Sequence, residues 1–463
     1  MKSDHDLLFP SPMWRKCVLT MVIFVVLVGS SFAQNRVDTA VHMRTAVDNV
    51  FLCPGKKDVY LYIDLEGCNL GKRVPLNLSV VFDRSGSMDG ERIKEGRAAL
   101  DYLIDHLESQ DILSIVTYDH QAEVFHGAEP VADKNKIKGK LHHVRPRGAT
   151  NISGGLQLGF QEASLKYDPT KINRMFLLTD GLANEGVTDD FILEQIVHGY
   201  SQQGNVSLST FGLGHEYNEV LLHNLAEAGG GHFYHIDQPQ DAQRDFGSEI
   251  KTLLSVVAQN AKLTVAFPPE LEQPRVYGER GISYGNTLVI DLKEVHPQEQ
   301  NGILVKFQVK SPLSGPVSIQ TTLVYDNALT LKKETQVQNC QITPSPNSGD
   351  CEQSVNRDVL ERIVYYTSND LVESAITDAE NGNISGAKAK MAQSKQLIQN
   401  AKRPDSLILK NQMQMADEYD SQLDTYHKKS EEEIKILHKR MRYKNYKLRK
   451  LKRKPMTNNC PKL

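Results

Sequence analysis

The sequence predicts an α/β protein in which a doubly wound, mostly parallel, Rossmann-like sheet is inserted in a β-sandwich and followed by an α-helical C-terminal region. Three observations predict this fold class. Between residues 74 and 240, short β-rich runs alternate with amphipathic helical stretches, as in sheets covered by helices on both faces. Segments on either side alternate apolar and polar residues at the period of strands. The final third is rich in helix-forming residues.

Length and composition narrow the class of protein. The chain has 463 residues, of which 40% are hydrophobic and 24% are charged. Wholesale disorder, a collagen-like repeat and a polytopic membrane protein are therefore not indicated. At about 150 residues per domain, the length predicts about three domains. The net charge of −3 conceals an asymmetry, because residues 439–454 are strongly basic and the rest of the chain is acidic.

The first 33 residues have the order of a secretory signal peptide. Trp14-Arg15-Lys16 precedes an apolar stretch from Cys17 to Gly29, and small residues, Ser31 and Ala33, then stand three and one positions before Gln34. This order predicts cleavage after Ala33 and a secreted, periplasmic or cell-envelope protein. An uncleaved membrane anchor is the less favoured alternative, because the apolar stretch is shorter than the roughly 20 residues that span a bilayer. Met13 is an alternative to Met1 as the start of the chain.

Export permits disulfide bonds, and five cysteines would remain after cleavage: Cys53, Cys68, Cys340, Cys351 and Cys460. Cys340 and Cys351 flank a turn-rich segment, which predicts a local bridge between them. Cys53 and Cys68 are harder to pair, because a strand between them would hold their backbones too far apart unless the chain bends. The odd count leaves at least one thiol unpaired or shared between chains, and Cys460 is the expected one.

Residues 34–73 are predicted to supply the N-terminal strands of the β-sandwich. The clearest alternation of side chains lies in Val59-Tyr60-Leu61-Tyr62-Ile63. Such alternation is typical of strands with one buried face.

The α/β segment is placed at residues 74–240. Its buried strands are predicted at residues 74–82, 112–118, 174–178, 206–211 and 232–236. Helical patterns between them are predicted at residues 92–106, 152–165, 190–201 and 219–228. Sheets of this kind bind ligands at the carboxyl ends of their strands. We therefore expect functional residues at that edge.

Oxygen-bearing side chains are concentrated at these strand ends. The first strand ends in Asp83-Arg84-Ser85-Gly86-Ser87-Met88, which offers a carboxylate and two hydroxyls at alternate positions. A second loop supplies Thr150 just before a helix, and a later strand ends in Thr179-Asp180-Gly181. Taken singly, Asp83 also fits a turn or helix cap, and Thr150 a capping segment. Together, oxygen ligands from three loops suit a hard divalent cation such as Mg²⁺ or Mn²⁺.

These residues resemble a known family. Asp83-x-Ser85-x-Ser87, Thr150 and Asp180 resemble, in order and spacing, the complete metal-ion-dependent adhesion site of von Willebrand factor type A (VWA) domains. The glycine-rich Phe211-Gly212-Leu213-Gly214 near the end of the segment is similar as well. The flanking β-rich segments resemble those of secreted bacterial VWA proteins.

The resemblance implies a mechanism of recognition. Ser85, Ser87 and Thr150 would contact the metal directly, while Asp83 and Asp180 would act through bound waters and hydrogen bonds to the serines. Mg²⁺ is the expected cation, with Mn²⁺ or Ca²⁺ as alternatives. A protein ligand would complete the coordination with a Glu or Asp side chain, so that the cation bridges two proteins.

Residues 241–345 are predicted to supply the C-terminal strands of the β-sandwich. Alternating stretches lie at residues 263–267, 287–292, 303–309 and 317–325, separated by Gly and Pro turns. Because strands are predicted on both sides of an α/β unit, we expect the two flanks to form one sandwich together.

The remaining residues are predicted to be helical. Residues 355–402 fit a helical hairpin around the turn Asn381-Gly382-Asn383, and residues 403–463 fit a long helix with a basic tail. Apolar residues from Ile434 to Leu451 follow a rough heptad, so self-association through these helices is one expected use. The tail is either a solvated extension or a contact for an anionic membrane surface or cell-wall polymer. We expect no specific nucleic acid, because no binding module is recognisable.

The sequence favours binding over catalysis. It contains no His-Glu-x-x-His pair, no Gly-x-Ser-x-Gly elbow and no phosphate-binding glycine loop with Lys. We therefore expect an exported, non-enzymatic protein that captures a protein ligand through a divalent cation. The alternatives are an envelope scaffold or assembly component with a structural metal, and a channel-accessory or inhibitor-like secreted VWA protein.

Overall fold

The computed structural model describes residues 39–449, apart from residues 69–72, 181–182, 215–216, 237–246, 248–251, 253–254, 298–299 and 311. The predicted signal peptide at residues 1–33, Cys460 and the end of the basic tail lie outside the described residues. Within the described part, no helix is long and apolar enough to cross a membrane.

Strands and helices follow the chain in four groups. The first strands are β1 (Val41–Val47), β2 (Phe51–Leu52) and β3 (Asp58–Gly67). The α/β segment contains β4 (Leu76–Asp83), α1 (Glu91–His106), β5 (Ile112–Tyr118), β6 (Ala122–Pro130), α2 (Lys134–Leu141), α3 (Ile152–Leu165), β7 (Ile172–Thr179), α4 (Asp190–Gly204), β8 (Ser207–Leu213), α5 (Glu219–Gly229) and β9 (Gly230–Ile236). A second group of strands contains β10 (Ala258–Ala266), β11 (Leu271–Tyr277), β12 (Gly281–Tyr284), β13 (Thr287–Val295), β14 (Gln300–Val309), β15 (Val317–Asn327) and β16 (Lys333–Pro344). The C-terminal helices are α6 (Ser348–Gln353), α7 (Arg357–Glu380), α8 (Ile384–Gln399), α9 (Leu407–Asp424) and α10 (Glu431–Arg449).

The α/β segment contains one sheet with the strand order β6-β5-β4-β7-β8-β9. Its strands are parallel except for β6, which runs antiparallel to β5. This is the order of a doubly wound sheet, in which the strand order reverses at the first strand and opens a crevice at the carboxyl ends. The sequence therefore predicts the sheet correctly, but it does not predict the edge strand β6, whose residues are mostly exposed or half-buried.

Helices cover this sheet on both faces. Val80 and Phe82 of β4 point to one face and pack in a cluster with Leu100 of α1. The intervening Val81 points to the other face and packs in a cluster with residues of α3. Helix α3 approaches the sheet closely at Gly159, where a Cβ atom would stand 2.3 Å from Cγ2 of Val81. Any side chain there would push α3 away from the strands.

The remaining strands form a β-sandwich from both flanks of the α/β segment. One sheet has the order β1-β3-β14-β11 and the other has the order β12-β13-β10-β15-β16-β2. Strand β3, before the α/β segment, pairs directly with β14, after it, so that Ile63 lies opposite Ile303. Apolar residues of both sheets, including Leu61, Leu263 and Ile319, form the core. The α/β unit is thus inserted in a sandwich, as the alternating flanks predict.

A disulfide bond joins Cys53 to Cys351 across 298 positions of sequence, with 6.3 Å between their Cα atoms. The predicted Cys340–Cys351 bridge is wrong. Cys340 lies within β16, where it pairs with Ile319, and it is a free cysteine. Cys351 instead lies on α6, which packs beside the start of the sandwich. Cys68 also forms a disulfide bond, and it is not paired with Cys53.

The helices α7 and α8 form the predicted hairpin around Asn381-Gly382-Asn383. Helix α7 packs on the sandwich, where the Tyr366 hydroxyl donates a hydrogen bond to the carbonyl of Gly302 in β14. The hairpin is therefore part of the same packed body as the sandwich.

The single long helix predicted beyond Asp405 is divided into α9 and α10. Residue Ser430 begins the second helix: its backbone N–H donates to Glu433 Oε2 at 2.7 Å, and the Glu433 N–H donates to Ser430 Oγ at 3.2 Å. This reciprocal pair is a capping box, which starts a new helix. Leu437 and Met441 of α10 then pack into the helical bundle, so these apolar residues of the heptad are buried within one molecule.

Candidate metal centre

Asp83, the last residue of β4, is fully buried at the carboxyl edge of the sheet. Its Oδ1 accepts the backbone N–H of Ser85 at 2.7 Å. Its Oδ2 accepts the hydroxyl of Thr179 at 2.6 Å and that of Tyr118 at 3.1 Å. Asp83 therefore accepts hydrogen bonds from the loop after β4 and from the ends of β5 and β7. It does not cap a helix, because the next one, at Gly86–Met88, has no side-chain cap.

Ser85, Ser87 and Asp180 form a chain of hydrogen bonds above the strand ends. The two serine Oγ atoms are 3.0 Å apart, and Ser87 Oγ donates to Asp180 Oδ1 at 2.8 Å. Asp180 follows directly after β7, the neighbour of β4 in the sheet. The structure thus brings these four predicted site residues, Asp83 included, to one point of the crevice.

The loop that contains Thr150 lies beside this point. The Gly86 N–H donates to the Gly148 carbonyl at 3.0 Å, which ties the two loops together. Thr150 is buried, and its N–H donates to Asn184 Oδ1 at 2.7 Å. The next residue, Asn151, is the N-cap of α3. The capping interpretation therefore applies to Asn151, while Thr150 is held at the edge of the site by its backbone.

Burial controls the charge of the two carboxyl groups. It raises the pKa of Asp83 to about 6, although hydrogen bonds from Thr179 and the Ser85 N–H act to lower it. It also raises the pKa of Asp180, against hydrogen bonds from Ser87 and Arg92. A divalent cation nearby would favour the charged form of both groups and lower both pKa values.

Arg92 contacts the site although the sequence reasoning did not select it. Its Nη1 donates to Asp180 Oδ2 at 2.7 Å and to the Ser87 carbonyl at 3.0 Å. It lies in the first turn of α1, so a basic residue just after the Asp-x-Ser-x-Ser motif is the signal that could have identified it. Tyr118 and Thr179 were also missed, and their signal is their place at the ends of strands next to β4.

An ion cluster around the buried Asp119 fixes the loops around the site. Asp119 Oδ2 lies 2.9 Å from Arg84 Nε and 2.7 Å from Arg147 Nε, and Arg84 Nη1 lies 2.7 Å from Glu123 Oε1. Burial acts to raise the pKa of Asp119, but hydrogen bonds from Arg147, the Gln121 N–H and Arg84 hold it below its ordinary value. Asp119 therefore stays ionised and links the loop after β4 to the loop before α3.

The oxygen atoms of the site fit a small divalent cation. Neighbouring ligands of octahedral Mg²⁺, each about 2.1 Å from the ion, lie about 3.0 Å from one another. The Ser85 and Ser87 hydroxyl oxygens, which are hydrogen-bonded to each other at 3.0 Å, have this spacing. Among the described residues, no group of three or more His, Cys, Asp or Glu side chains is arranged to hold a metal. Hydroxyl oxygens would therefore have to supply much of any coordination.

The family model of the von Willebrand factor type A domain matches residues 76–236. This range begins with β4 and ends with β9, the first and last strands of the doubly wound sheet along the chain. Residues 76–236 form a VWA domain.

Relatives share this domain rather than the whole chain. "Uncharacterized protein YfbK" of Escherichia coli (strain K12) is 34% identical over 195 residues, which are 42% of this chain and 34% of that protein. Inter-alpha-trypsin inhibitor heavy chain H2 of Mesocricetus auratus is 28% identical over 204 residues, or 42% of this chain and 21% of that protein. The chain thus spans about a third or less of the lengths of these curated relatives.

The likeness to a solved structure extends beyond the VWA domain. A structure described as von Willebrand factor type A from Catenulispora acidiphila superposes with a TM-score of 0.66 at 16% sequence identity. The superposition covers 82% of this chain and 91% of that chain. At this identity it shows a shared fold alone.

Proposed function

We propose that this protein captures a protein ligand through a divalent cation, Mg²⁺ first of all, held by its VWA domain. The convergence of the Ser85, Ser87 and Asp180 oxygens above the ends of β4 and β7 carries the proposal. Gly86 and Ser87 are exposed, so a partner can reach this point. Mn²⁺ and Ca²⁺ are alternative cations, because hydroxyl and carboxylate oxygens bind them as well.

In this proposal each residue has a separate task. Ser85, Ser87 and Thr150 would hold the cation through their hydroxyl oxygens. Asp83 fixes the loop by accepting a hydrogen bond from the Ser85 N–H, and Asp180 orients Ser87 by accepting a hydrogen bond from its hydroxyl. When bound, the cation supplies Lewis acidity that a Glu or Asp carboxylate of the partner can satisfy. This is recognition without turnover, which agrees with the adhesion and binding roles general among VWA domains.

We also propose a secreted, periplasmic or cell-envelope location. The Cys53–Cys351 disulfide supports it, because such bonds persist in oxidising compartments. The basic run would then face an anionic membrane surface or cell-wall polymer. Part of its charge is used within the molecule, however, since Arg442 pairs with Glu380 and Lys444 pairs with Glu418. Only the rest of the run is left for such a contact.

The cation site is tested first, with the full chain and with Mn²⁺ as the probe. Ser87→Ala removes an exposed hydroxyl, while Asp83→Ala removes the buried acceptor. We expect electron paramagnetic resonance titration to show a bound Mn²⁺ in the wild type and a loss of affinity of about tenfold or more in both variants. Ser109→Ala, an exposed serine away from the site, is the matched control and should bind as the wild type does.

Partner capture is tested second, with immobilised protein in an envelope or extracellular extract. A protein retained with Mg²⁺, released by EDTA and not retained by Ser87→Ala would support capture through the cation. If the variants bind no Mn²⁺ but retain the same partners, the cation is structural and the scaffold alternative applies. If the wild type binds no Mn²⁺, Mg²⁺ or Ca²⁺, the proposal is wrong.

A further inference from the structure

A cavity lies between the VWA domain and the C-terminal helices. It has a volume of about 270 Å³ and is lined by α5, by Phe233 of β9, by Glu373 of α7 and by Arg442 and Tyr446 of α10. None of the metal-centre residues lines it. Its size is close to the lower end of the about 300–1,000 Å³ typical of small-molecule sites.

Glu219, the first residue of α5, has a carboxyl oxygen without a hydrogen-bond partner in the wall of this cavity. It is only 5% exposed, and its Oε2 has no hydrogen-bond partner. Burying a carboxyl without a partner is unfavourable, so a ligand that places a positive charge or a hydrogen-bond donor beside Oε2 would recover free energy. Glu219 also lines a neighbouring cavity of about 470 Å³, which offers a route to the group.

Three aromatic rings also line this cavity. The His223 and Tyr446 rings are 5.2 Å apart at 89°, and the His223 and Phe233 rings are 6.3 Å apart at 81°. Phe233 and Tyr446 are 6.3 Å apart at 62°. Burial lowers the pKa of His223, so this ring is uncharged at neutral pH. Aromatic faces set at steep angles attract organic cations through their quadrupoles.

The fixed charges around the cavity cancel one another. Arg442 donates to Glu373 Oε1 at 2.8 Å and to both carboxylate oxygens of Glu380 at 2.9 Å. Lys439, which lines the neighbouring cavity together with Glu380, adds a second positive charge, and its Nζ lies 4.6 Å from the centre of the Tyr217 ring. Two cations thus face two carboxylates. Glu219, when ionised, is the remaining negative charge, which a ligand with one positive charge would balance.

We propose that this cavity binds a small organic ammonium ion, with the ammonium group at Glu219 and its hydrocarbon part against Phe233, Tyr446 and His223. The positive charge of the ligand favours the ionised form of the Glu219 carboxyl, which then supplies the opposite charge, and the rings supply an apolar surface for the hydrocarbon part. A ligand carboxylate or phosphate would instead seek Arg442, which Glu373 and Glu380 already occupy. The site is separate from the metal centre, so either can fail without the other.

Isothermal titration calorimetry on the full chain tests this proposal, with choline and tetramethylammonium as probes. The control ligand is 3,3-dimethylbutan-1-ol, which has the shape of choline without its charge. We expect both ammonium ions to bind saturably, with affinities that EDTA does not change. The alcohol should bind with an affinity at least about tenfold lower. Glu219→Gln should weaken choline binding by about tenfold or more. Glu352→Gln, an exposed glutamate on α6, should not change it.

A pair of substitutions at Tyr446 gives a second test that leaves the carboxyl in place. Tyr446→Phe keeps the ring and should retain choline binding, whereas Tyr446→Leu removes the ring and should weaken it. The proposal is overturned if neither ammonium ion binds the folded wild type, or if the alcohol binds as well as choline. Unchanged binding in Glu219→Gln overturns it too. If Glu219→Gln fails to fold, the Tyr446 pair decides, and equal affinities of its two members overturn the proposal.

Discussion

Arg92 places a positive charge within hydrogen-bond distance of the candidate metal centre. Its Nη1 lies 2.7 Å from Asp180 Oδ2, and the side chain is only 25% exposed, so solvent screens this charge incompletely. A guanidinium group and a divalent cation beside one carboxylate repel each other. Under the proposed function, Arg92 therefore limits the affinity for the cation while it holds Asp180 in place.

Replacing Arg92 by Ala should raise the affinity for Mn²⁺ by about three- to tenfold, because it removes the repulsion and leaves the ligand oxygens intact. Arg92→Lys keeps the charge and should bind as the wild type does. Calorimetric titration at low ionic strength measures both. A weaker affinity in Arg92→Ala would mean that the orientation of Asp180 matters more than the charge of Arg92.

The buried carboxyl of Glu219 should make the stability of the protein depend on pH. Burial raises the pKa of Glu219 from the ordinary 4.5 to about 8. The positive charges of Arg442 and Lys439 act to lower this pKa, and the negative charges of Glu373 and Glu380 act to raise it. Between these two values the folded state holds a proton that the unfolded state releases. The stability associated with this group is therefore present below pH 4.5 and is lost as the pH rises through about 8.

Glu219→Gln should remove this loss, because an amide does not ionise. We expect the free energy of unfolding of the variant, relative to the wild type, to rise between pH 5 and pH 8 by a few kcal/mol at most, at about 1.4 kcal/mol per unit of pKa shift. Urea unfolding at several pH values measures it, with Glu352→Gln as the control. A difference that does not change with pH would show that Glu219 is ionised in the folded state throughout.

At the scale of elements, buried strands and helices are easier to predict from the sequence than exposed ones. All eight residues of β4 are buried, and five of them are apolar, so the strand is easy to recognise in the sequence. The edge strand β6 carries polar residues and Gly127, and it was not predicted. Asp83, Ser85 and Ser87 could be selected because they lie in one short motif. Arg92 and Tyr118 lie outside this motif, and packing brings them to it, so the sequence signals for them are weaker.

The break between α9 and α10 coincides with a local signal in the sequence. Ser430 and Glu433 are three residues apart, the spacing of a capping box, within a region that otherwise favours one continuous helix. The break lets α10 turn back against α7 and α9, where Met441 is buried. A continuous helix would have carried that apolar face into solvent.

Replacing Ser430 by Ala should lower the free energy of unfolding by about 1 kcal/mol, because one capping hydrogen bond of α10 is lost. Ser421→Ala is the matched control: this exposed serine lies in the interior of α9, where Ala is the better helix former. Urea unfolding followed by circular dichroism compares them. Equal stabilities of the two variants would mean that packing alone sets the start of α10.

At the scale of the whole molecule, one covalent link encloses most of the chain. The Cys53–Cys351 bond closes a loop of 298 positions that contains the VWA domain and nearly all of the sandwich. The sequence could not indicate this pairing, because it depends on how α6 packs beside the first strands. The Asn49 side chain, for example, donates to the Cys351 carbonyl at 2.8 Å.

Removing this bond with Cys53→Ser and Cys351→Ser together should lower the free energy of unfolding by about 2–4 kcal/mol, because the unfolded chain gains freedom. Cys340→Ser, which removes the free thiol, should have a much smaller effect. Urea unfolding of the three proteins without reductant measures this. If Cys340→Ser destabilised the protein as much as the double variant did, Cys340 would belong to the covalent framework.

The insertion of the VWA domain also determines how the molecule would respond to mechanical load. The chain enters the domain at the N-terminal end of β4, and Ser85 and Ser87 follow the opposite end of this strand. β4 lies between β5 and β7 and pairs with both along its length. Under the proposed function, a tethered ligand that pulls on these serines would load β4 along its own axis wherever the connection before β4 resists the pull. The hydrogen bonds of β4 to both neighbours would then share the force at once instead of breaking one after another.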